Sequence, residues 1–106
     1  MMDFKEECYN LVKKVPKGKI TTYKEIAEAL GTNGYRAVGN VLNKNPNLIT
    51  VPCHRVVKSN GEVGGYVEGI ERKIELLRSE GIPIKDNKVI DFEKYFFRLK
   101  NNKFKK

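Results

Sequence analysis

A cysteine and the only histidine of the chain stand side by side, at Cys53 and His54, between Pro52 and Arg55. A thiol is a weak nucleophile until its proton is removed, and a neighbouring imidazole and guanidinium favour that loss. The motif therefore predicts covalent chemistry at Cys53, with a thiol pKa below its free value of about 8.5. The alternative is a buried, inert cysteine, and the six residues from Pro52 to Val57 do not decide between the two.

Length, charge and cysteine count restrict the class of protein. The chain has 106 residues, two cysteines and a net charge of +8. This length predicts one domain, residues 1–106, with no accessory domain before it and a core that needs no disulfide. Two cysteines cannot complete a zinc site, so we expect no metal and no cofactor. With neither a leader nor a membrane-length apolar run, we expect a cytoplasmic monomer, nucleoid-associated in a prokaryote, with no membrane contact. The excess of Lys and Arg modestly favours a polyanionic partner.

The first predicted helix begins at Asp3, because Glu6 three residues later completes a capping box. Apolar residues at helical spacing continue from Phe4 until the helix ends at 16–18. Cys8 lies on that apolar stripe, so we expect it to pack in the core rather than react.

Two shorter helices are predicted next, with the proportions of a helix-turn-helix. Thr22 and Glu25 form a second capping box, and Gly31 ends the helix that they begin. Asn33 is placed to cap the third helix. Its predicted inward face consists of Ala37, Val38, Val41 and Leu42, and it stops before Asn45-Pro46.

Beyond the cysteine motif, Val56-Val57 is predicted to pair across 59–61 as a small hairpin. Four glycines then mark a loop around Tyr66, and a helix starting at Ile70 ends at Glu80-Gly81. After it we expect a hairpin at Asp86-Asn87, a short aromatic helix through 95–97, and a frayed end over 98–106.

Once these elements are placed, several linked motifs identify a family, and together they are far more specific than one. The chain resembles the catalytic domain of O6-alkylguanine-DNA alkyltransferases, also called methylated-DNA-protein-cysteine methyltransferases, over roughly residues 3–81. The resemblance implies a mainly α fold with a small β-hairpin and a helix-turn-helix, winged-helix-like DNA-binding unit. The motifs that carry it, in order, are 20–27 (Ile20-Thr21-Thr22-Tyr23-Lys24-Glu25-Ile26-Ala27), 35–39 (Tyr35-Arg36-Ala37-Val38-Gly39), Asn45-Pro46, 52–57 (Pro52-Cys53-His54-Arg55-Val56-Val57) and Gly64-Gly65-Tyr66.

The resemblance implies a suicide reaction in which a cysteine takes the alkyl group from O6 of a flipped guanine. Cys53 matches the acceptor and His54 its base, which acts through a water. Glu80 matches the carboxylate that orients the histidine. Tyr23 matches the tyrosine that hydrogen-bonds a guanine ring nitrogen, and Asn45 a residue that braces the turn at the active site.

The same resemblance implies a partner, double-stranded DNA that contains O6-alkylguanine. Arg36 matches the finger that fills the gap left by the flipped base, and Gly39 would let its helix approach the sugar-phosphate closely. The remaining residues implied to contact DNA are Thr22, Tyr23 and Ser59, and those of the substrate pocket are Val56, Tyr66 and Val67.

Two other functions remain open. Residues 76–82 and 91–95 resemble the short alkyltransferase-like proteins, which bind alkylated guanine without repairing it because tryptophan or alanine replaces the acceptor cysteine. A non-catalytic sensor that signals to another repair pathway is therefore the first alternative. A helix-turn-helix transcription factor with an incidental thiol is the second. A cysteine hydrolase is disfavoured, because no separate oxyanion motif is visible.

Overall fold

The computed structural model describes residues 3–48 and 50–99. Five helices and four short strands are assigned in these ranges. They are α1 (Phe4–Lys13), β1 (Thr21–Thr22), α2 (Tyr23–Ala29), α3 (Tyr35–Leu42), a 3-10 turn (Cys53–Arg55), β2 (Val56–Val57), α4 (Ile70–Ser79), β3 (Ile84–Lys85), β4 (Lys88–Val89) and α5 (Phe92–Tyr95). The predicted fraying concerns 98–106, of which 100–106 lie outside the described residues. None of the described helices is long and apolar enough to cross a membrane.

The predicted start of α1 is confirmed. The backbone N–H of Glu6 donates to Asp3 Oδ1 at 2.9 Å, and the Asp3 N–H donates to Glu6 Oε1 at 3.3 Å. The helix ends at Lys13, a few residues before the predicted stop at 16–18. Cys8 is fully buried in the core, as predicted.

The second capping box is only half formed. The Glu25 N–H donates to the Thr22 hydroxyl at 2.9 Å, so Thr22 caps α2 as predicted. Oε2 of the Glu25 carboxylate instead accepts a bond of 2.7 Å from the backbone N–H of Leu99, far along the chain. A buried acid thus joins the helix-turn-helix to the segment that follows α5.

The predicted cap of α3 at Asn33 is wrong, since the N-cap residue is Gly34 and no side chain caps it. The Thr32 hydroxyl instead accepts from the Gly34 N–H at 3.1 Å. Val38 and Leu42, one turn apart, are buried, whereas Ala37 is exposed. The inward face of α3 is therefore narrower than predicted.

The predicted hairpin at Val56-Val57 is also wrong. These residues form β2, which pairs in parallel with β1, with Thr21 opposite Val56 and Thr22 opposite Val57. Both valines are fully buried, which a solvent-exposed hairpin would not achieve. Val56 packs in the cluster around Val38, and Val57 packs in the cluster around Leu77, because successive strand residues face opposite sides.

A small antiparallel hairpin does form where Asp86 and Asn87 predict a turn, between β3 and β4. Both turn residues have left-handed backbone, with φ of 54° and 62°, as two-residue hairpin loops require. The aromatic helix is displaced from the predicted 95–97. It ends at Tyr95, and Phe96 is extended because it bridges to Ile20.

Candidate active site

Cys53 opens the 3-10 turn that joins the loop after α3 to β2, and it is only 5% exposed. The side-chain amide of Asn45 donates to the Cys53 sulfur at 3.5 Å and to the Val51 carbonyl at 2.9 Å. Asn45 also accepts from the Asn47 N–H at 2.9 Å. The amide therefore holds the turn, as the family resemblance implied, and it also contacts the sulfur.

The expectation of a depressed thiol pKa is wrong in this structure. Burial raises the pKa of Cys53, and it outweighs the lowering by the Asn45 hydrogen bond and by the positive charge of Lys73. Removing the proton from this thiol consequently needs a base and a nearby cation at the moment of reaction.

His54 and Glu80 are joined as predicted, with Nε2 and Oε2 2.9 Å apart. Burial acts to raise the pKa of Glu80, but hydrogen bonds from Arg55 and His54 outweigh it and lower that pKa. An ionised carboxylate only accepts, so His54 Nε2 carries the ring proton. His54 Nδ1 then bears the lone pair.

Nδ1 of His54 is buried and has no hydrogen-bond partner within residues 3–48 and 50–99. The pKa of His54 is lowered, mainly by burial and against the pull of Glu80. The imidazole is therefore neutral at pH 7, with its basic nitrogen unengaged, which is the state that a general base requires.

Lys73 is a buried site residue that sequence reasoning missed. It lies on α4, fully buried, and its Nζ donates to Tyr23 Oη at 3.2 Å and to the Gly65 carbonyl at 3.0 Å. Its position one turn from both Ile70 and Leu77 was a detectable signal, because a lysine there interrupts the apolar stripe of the helix.

Burial controls the proton on both members of this pair. Burial lowers the pKa of Lys73 to about 7, while the charge of Cys53 acts to raise it. Burial, with a smaller contribution from Cys53, raises the pKa of Tyr23 to about 12. The Tyr23 hydroxyl thus keeps its proton at neutral pH.

A cavity of about 630 Å³ opens beside α3. Four of the residues predicted to contact DNA or base line it, namely Tyr23, Arg36, Gly39 and Ser59, together with Lys24, Tyr35, Asn43, Lys58, Asn60 and Gly65. Thr22 is not among them, because it is 3% exposed and its hydroxyl caps α2. The mixture of aromatic, basic and amide side chains suits a nucleic acid.

The loop 64–66 contacts both the cavity and the histidine that follows the cysteine. Gly65 lines the cavity, whereas the Tyr66 ring meets the His54 ring edge-on with centroids 6.4 Å apart. Cys53 is not part of the cavity lining. The structure therefore does not join the predicted pocket residues into one chamber. Val56 is in the core, Tyr66 is half-buried, and Val67 is 47% exposed.

No three His, Cys, Asp or Glu side chains among the described residues form a group that could hold a metal ion. The site instead contains the Cys53 thiol and, next to it in sequence, the imidazole of His54, which the Glu80 carboxylate orients. A hydrogen bond between Tyr23 on α2 and Lys73 on α4 completes it. Fold and site together define a helix-turn-helix protein with a buried cysteine centre.

Comparison with known proteins identifies the family. Residues 3–82 match the family model of the 6-O-methylguanine DNA methyltransferase DNA-binding domain. The chain belongs to this family, and the predicted resemblance is confirmed. It is 54% identical over 82 residues to a methylated-DNA--protein-cysteine methyltransferase of Metallosphaera sedula, covering 77% of this chain and 51% of the relative. The chain spans about half the length of the curated relatives that it matches.

Two solved structures show the same fold. S. pombe Atl1, in a complex with damaged DNA containing O6-carboxymethylguanine, superposes with a TM-score of 0.81 at 29% identity, covering 93% of this chain and 99% of that one. Mycobacterium tuberculosis OGT, in a complex with DNA, gives a TM-score of 0.71 at 41% identity, covering 76% and 50%. The mainly helical class with a helix-turn-helix is thus confirmed.

Proposed function

We propose that this chain removes the alkyl group from O6-alkylguanine in double-stranded DNA and carries it irreversibly on Cys53, once per chain. The observation that carries the proposal is the neutral imidazole of His54, held at Nε2 by Glu80 beside Cys53 in sequence, with its basic nitrogen unpartnered among the described residues. The names of relatives at about half identity support the same reaction.

The chemistry is a displacement at an alkyl carbon. His54 Nδ1 takes the thiol proton through a water, and the thiolate attacks the alkyl carbon. The sulfur–carbon bond forms as the bond from carbon to O6 breaks, and its electron pair moves into the guanine. Tyr23, whose hydroxyl remains protonated at neutral pH, then donates a proton to a guanine ring nitrogen. Guanine thereby leaves as a neutral base.

The DNA side of the proposal uses the cavity. Arg36 is exposed on the first turn of α3 and lines the cavity with Tyr23. Extruding a base costs a few kcal/mol of lost stacking, and an arginine inserted into the stack offsets part of that cost. The net charge of +8 provides general attraction to phosphates.

A second candidate function is a sensor that binds alkylated guanine and leaves it unrepaired. Two observations support it. The superposition on Atl1 covers 93% of this chain and 99% of Atl1, and burial raises the pKa of the Cys53 thiol. The presence of a cysteine at position 53, where the alkyltransferase-like proteins carry tryptophan or alanine, favours the transferase. A transcription factor would bind a defined sequence and ignore alkylation.

Intact-mass measurement decides between these functions. The protein is incubated with a duplex that contains one O6-methylguanine, and we expect a gain of one methyl group on the peptide containing Cys53. Cys53→Ser should bind the duplex without gaining mass. Cys8→Ser is the matched control and should react like wild type, because Cys8 is fully buried with its pKa raised to about 11. Lesion binding without mass gain would indicate the sensor.

A further inference from the structure

One large aromatic side chain at the cavity has no partner inside the described protein. Tyr35 is 50% exposed, although an aromatic ring is among the side chains that gain most from burial. Within residues 3–48 and 50–99 its hydroxyl forms no hydrogen bond, and its ring joins no aromatic or cation–π pair. Neither the proposed alkyl transfer nor the proposed base extrusion uses this residue.

Tyr35 begins the face that α3 presents to the cavity. Three residues spaced four apart along α3 and its C-cap line that cavity, namely Tyr35, Gly39 and Asn43. Gly39, in the middle, has no side chain, so a duplex can approach the helix backbone closely there. A duplex at that distance from Gly39 brings the Tyr35 ring, one turn away on the same face, against its bases or its backbone.

The charges around the ring assign the phosphates to other side chains. Lys24, Arg36 and Lys58 line the same cavity, and none of the described residues that line it is acidic. Cationic side chains bind phosphates, whereas aromatic rings stack on bases. The group that fits Tyr35 is therefore the flat face of a base.

We propose that the Tyr35 ring stacks on the base of the opposite strand that is left unpaired when the alkylated guanine is extruded. This inference rests on the proposed function. It adds a residue that holds the second strand of the damaged pair. The ligand is a nucleobase of any identity, because every base has the ring face that stacking requires.

The direction of the neighbouring side chain supports the opposite strand. Adjacent residues of a helix project about 100° apart, so Tyr35 and Arg36 diverge and do not fill the same gap. Arg36 is proposed to enter the gap that the guanine vacates. Tyr35 is then left for the strand across from it.

The energetics of extrusion favour the same base. Once the guanine has left, its former partner has no base-pairing hydrogen bonds. Separating an unpaired base from a stacked neighbour costs less than separating a paired one. An aromatic ring that wedges in beside this base replaces the stacking contact that it displaces. The unpaired base is thus the position in the duplex where a wedge costs least.

The test measures duplex affinity with the full chain carrying Cys53→Ser, so that no transfer removes the lesion during the measurement. One duplex pairs O6-methylguanine with cytosine, and a second has an abasic site opposite the lesion. Adding Tyr35→Ala should weaken binding to the first duplex by roughly 10-fold, the effect of losing one stacked base. Binding to the second duplex should be unchanged, because the base on which Tyr35 stacks is missing.

Two variants are matched controls in the same Cys53→Ser background. Tyr35→Phe keeps the ring and should bind both duplexes like the parent protein. Lys24→Ala removes an exposed charge from the same cavity. It should weaken binding to both duplexes by the same factor, because both contain the phosphates. Unchanged affinity of Tyr35→Ala for the abasic duplex also shows that this variant is folded.

Fluorescence of 2-aminopurine opposite the lesion gives an independent readout. This base analogue emits weakly when it is stacked and strongly when it is not. Emission should stay low when the parent protein or Tyr35→Phe binds, and it should rise when Tyr35→Ala binds. The measurement on the parent protein remains informative if Tyr35→Ala does not fold.

Three results would overturn the inference. They are an equal loss of affinity for both duplexes in Tyr35→Ala, an equal loss in Tyr35→Phe and Tyr35→Ala, and a rise in emission when the parent protein binds. The first would indicate a contact that does not involve the opposite base, and the second a contact through the hydroxyl.

The proposed function is tested separately, by the gain of a methyl group on Cys53. A chain with Cys53 intact that binds the lesion without gaining mass would contradict the transfer, and the affinity comparisons for Tyr35 would still apply. A lesion duplex bound no more tightly than an undamaged one, with no gain of mass, would overturn both.

Discussion

Arg55 and Glu80 form a bidentate ion pair, in which Nε donates to Oε1 at 2.9 Å and Nη2 donates to Oε2 at 2.8 Å. The remaining nitrogen, Nη1, donates to the Val15 carbonyl at 2.9 Å, beyond the end of α1. The same Glu80 oxygen that accepts from Nη2 also accepts from His54. Arg55 therefore sets the position of the carboxylate, and the carboxylate sets the tautomer and orientation of the imidazole.

Arg55→Lys should lower the rate of alkyl transfer more than it lowers the affinity for DNA. The reason is that a lysine cannot donate to both oxygens of Glu80 in a fixed geometry. The side chains of Arg55 and Glu80 are 15% and 9% exposed, so Arg55→Ala should cost about 3 kcal/mol of unfolding free energy. Urea denaturation measures this cost. Arg72→Ala is the matched control, since Arg72 is 52% exposed and pairs with Glu75 at the surface. Equal losses of unfolding free energy in the two alanine variants would show that the Arg55–Glu80 pair does not stabilise the fold. A transfer rate unchanged in Arg55→Lys would contradict the positioning role.

The pH dependence of stability should reveal the same carboxylate. The pKa of Glu80 is lowered in the fold, so its stabilising contribution is complete above the unfolded value of about 4.3 and disappears as pH falls through the folded pKa. Wild type should lose stability over that acid range more steeply than Glu80→Gln. The measurement is the urea midpoint as a function of pH. Parallel curves for the two proteins would show that Glu80 has an ordinary pKa.

Capping and turn residues predicted correctly those elements whose ends depend only on residues nearby in the sequence. The box at Asp3 and Glu6, the stop of α4 at Gly81 and the turn at Asp86-Asn87 all formed as predicted. Errors arose where distant residues compete. Val56-Val57 pairs with β1, more than thirty residues earlier, and Glu25 bonds to Leu99 at a separation of 74 residues. The residue pattern within one segment cannot predict contacts with residues so far away along the chain.

The candidate site likewise combines features that the sequence predicts with features that depend on tertiary packing. The motif and the family resemblance predicted roles for Cys53, His54, Glu80 and Asn45. The structure places Asn45 against the Cys53 sulfur and His54 against Glu80. The raised pKa of Cys53 and the buried amine of Lys73 depend on packing density around them. Spacing along the chain carries no measure of that density.

Gly64→Ala should impair transfer strongly. Gly64 has φ of +76°, and an added Cβ would lie 3.2 Å from Tyr23 Oη, so the side chain both strains the backbone and displaces the hydroxyl. We expect a loss of about 1 kcal/mol or more in stability and a larger relative loss in transfer rate than in duplex affinity. Thermal unfolding and single-turnover transfer measure the two effects.

Gly39→Ala is the informative contrast. A Cβ at Gly39 would meet the Tyr23 ring at 3.9 Å, an ordinary contact, and alanine favours the helix. The variant should keep or gain stability. If α3 approaches the sugar-phosphate closely, Gly39→Ala should bind the duplex more weakly. The Cys53 thiol of the variant should still react with a small alkylating reagent such as methyl iodide at the wild-type rate. Unchanged duplex affinity would remove Gly39 from the DNA interface.

Base extrusion can be separated from the chemistry through Arg36, which is exposed and lines the cavity. Arg36→Ala should slow repair of duplex O6-methylguanine much more than reaction with the free base O6-benzylguanine, because the free base needs no extrusion. Lys24→Ala is the matched control, since Lys24 is exposed on the same cavity. Loss of a phosphate contact there should weaken binding to all sequences and reduce the salt slope by about one unit. Equal losses on duplex and free base in Arg36→Ala would show that this arginine supports the pocket and does not fill the vacated stack.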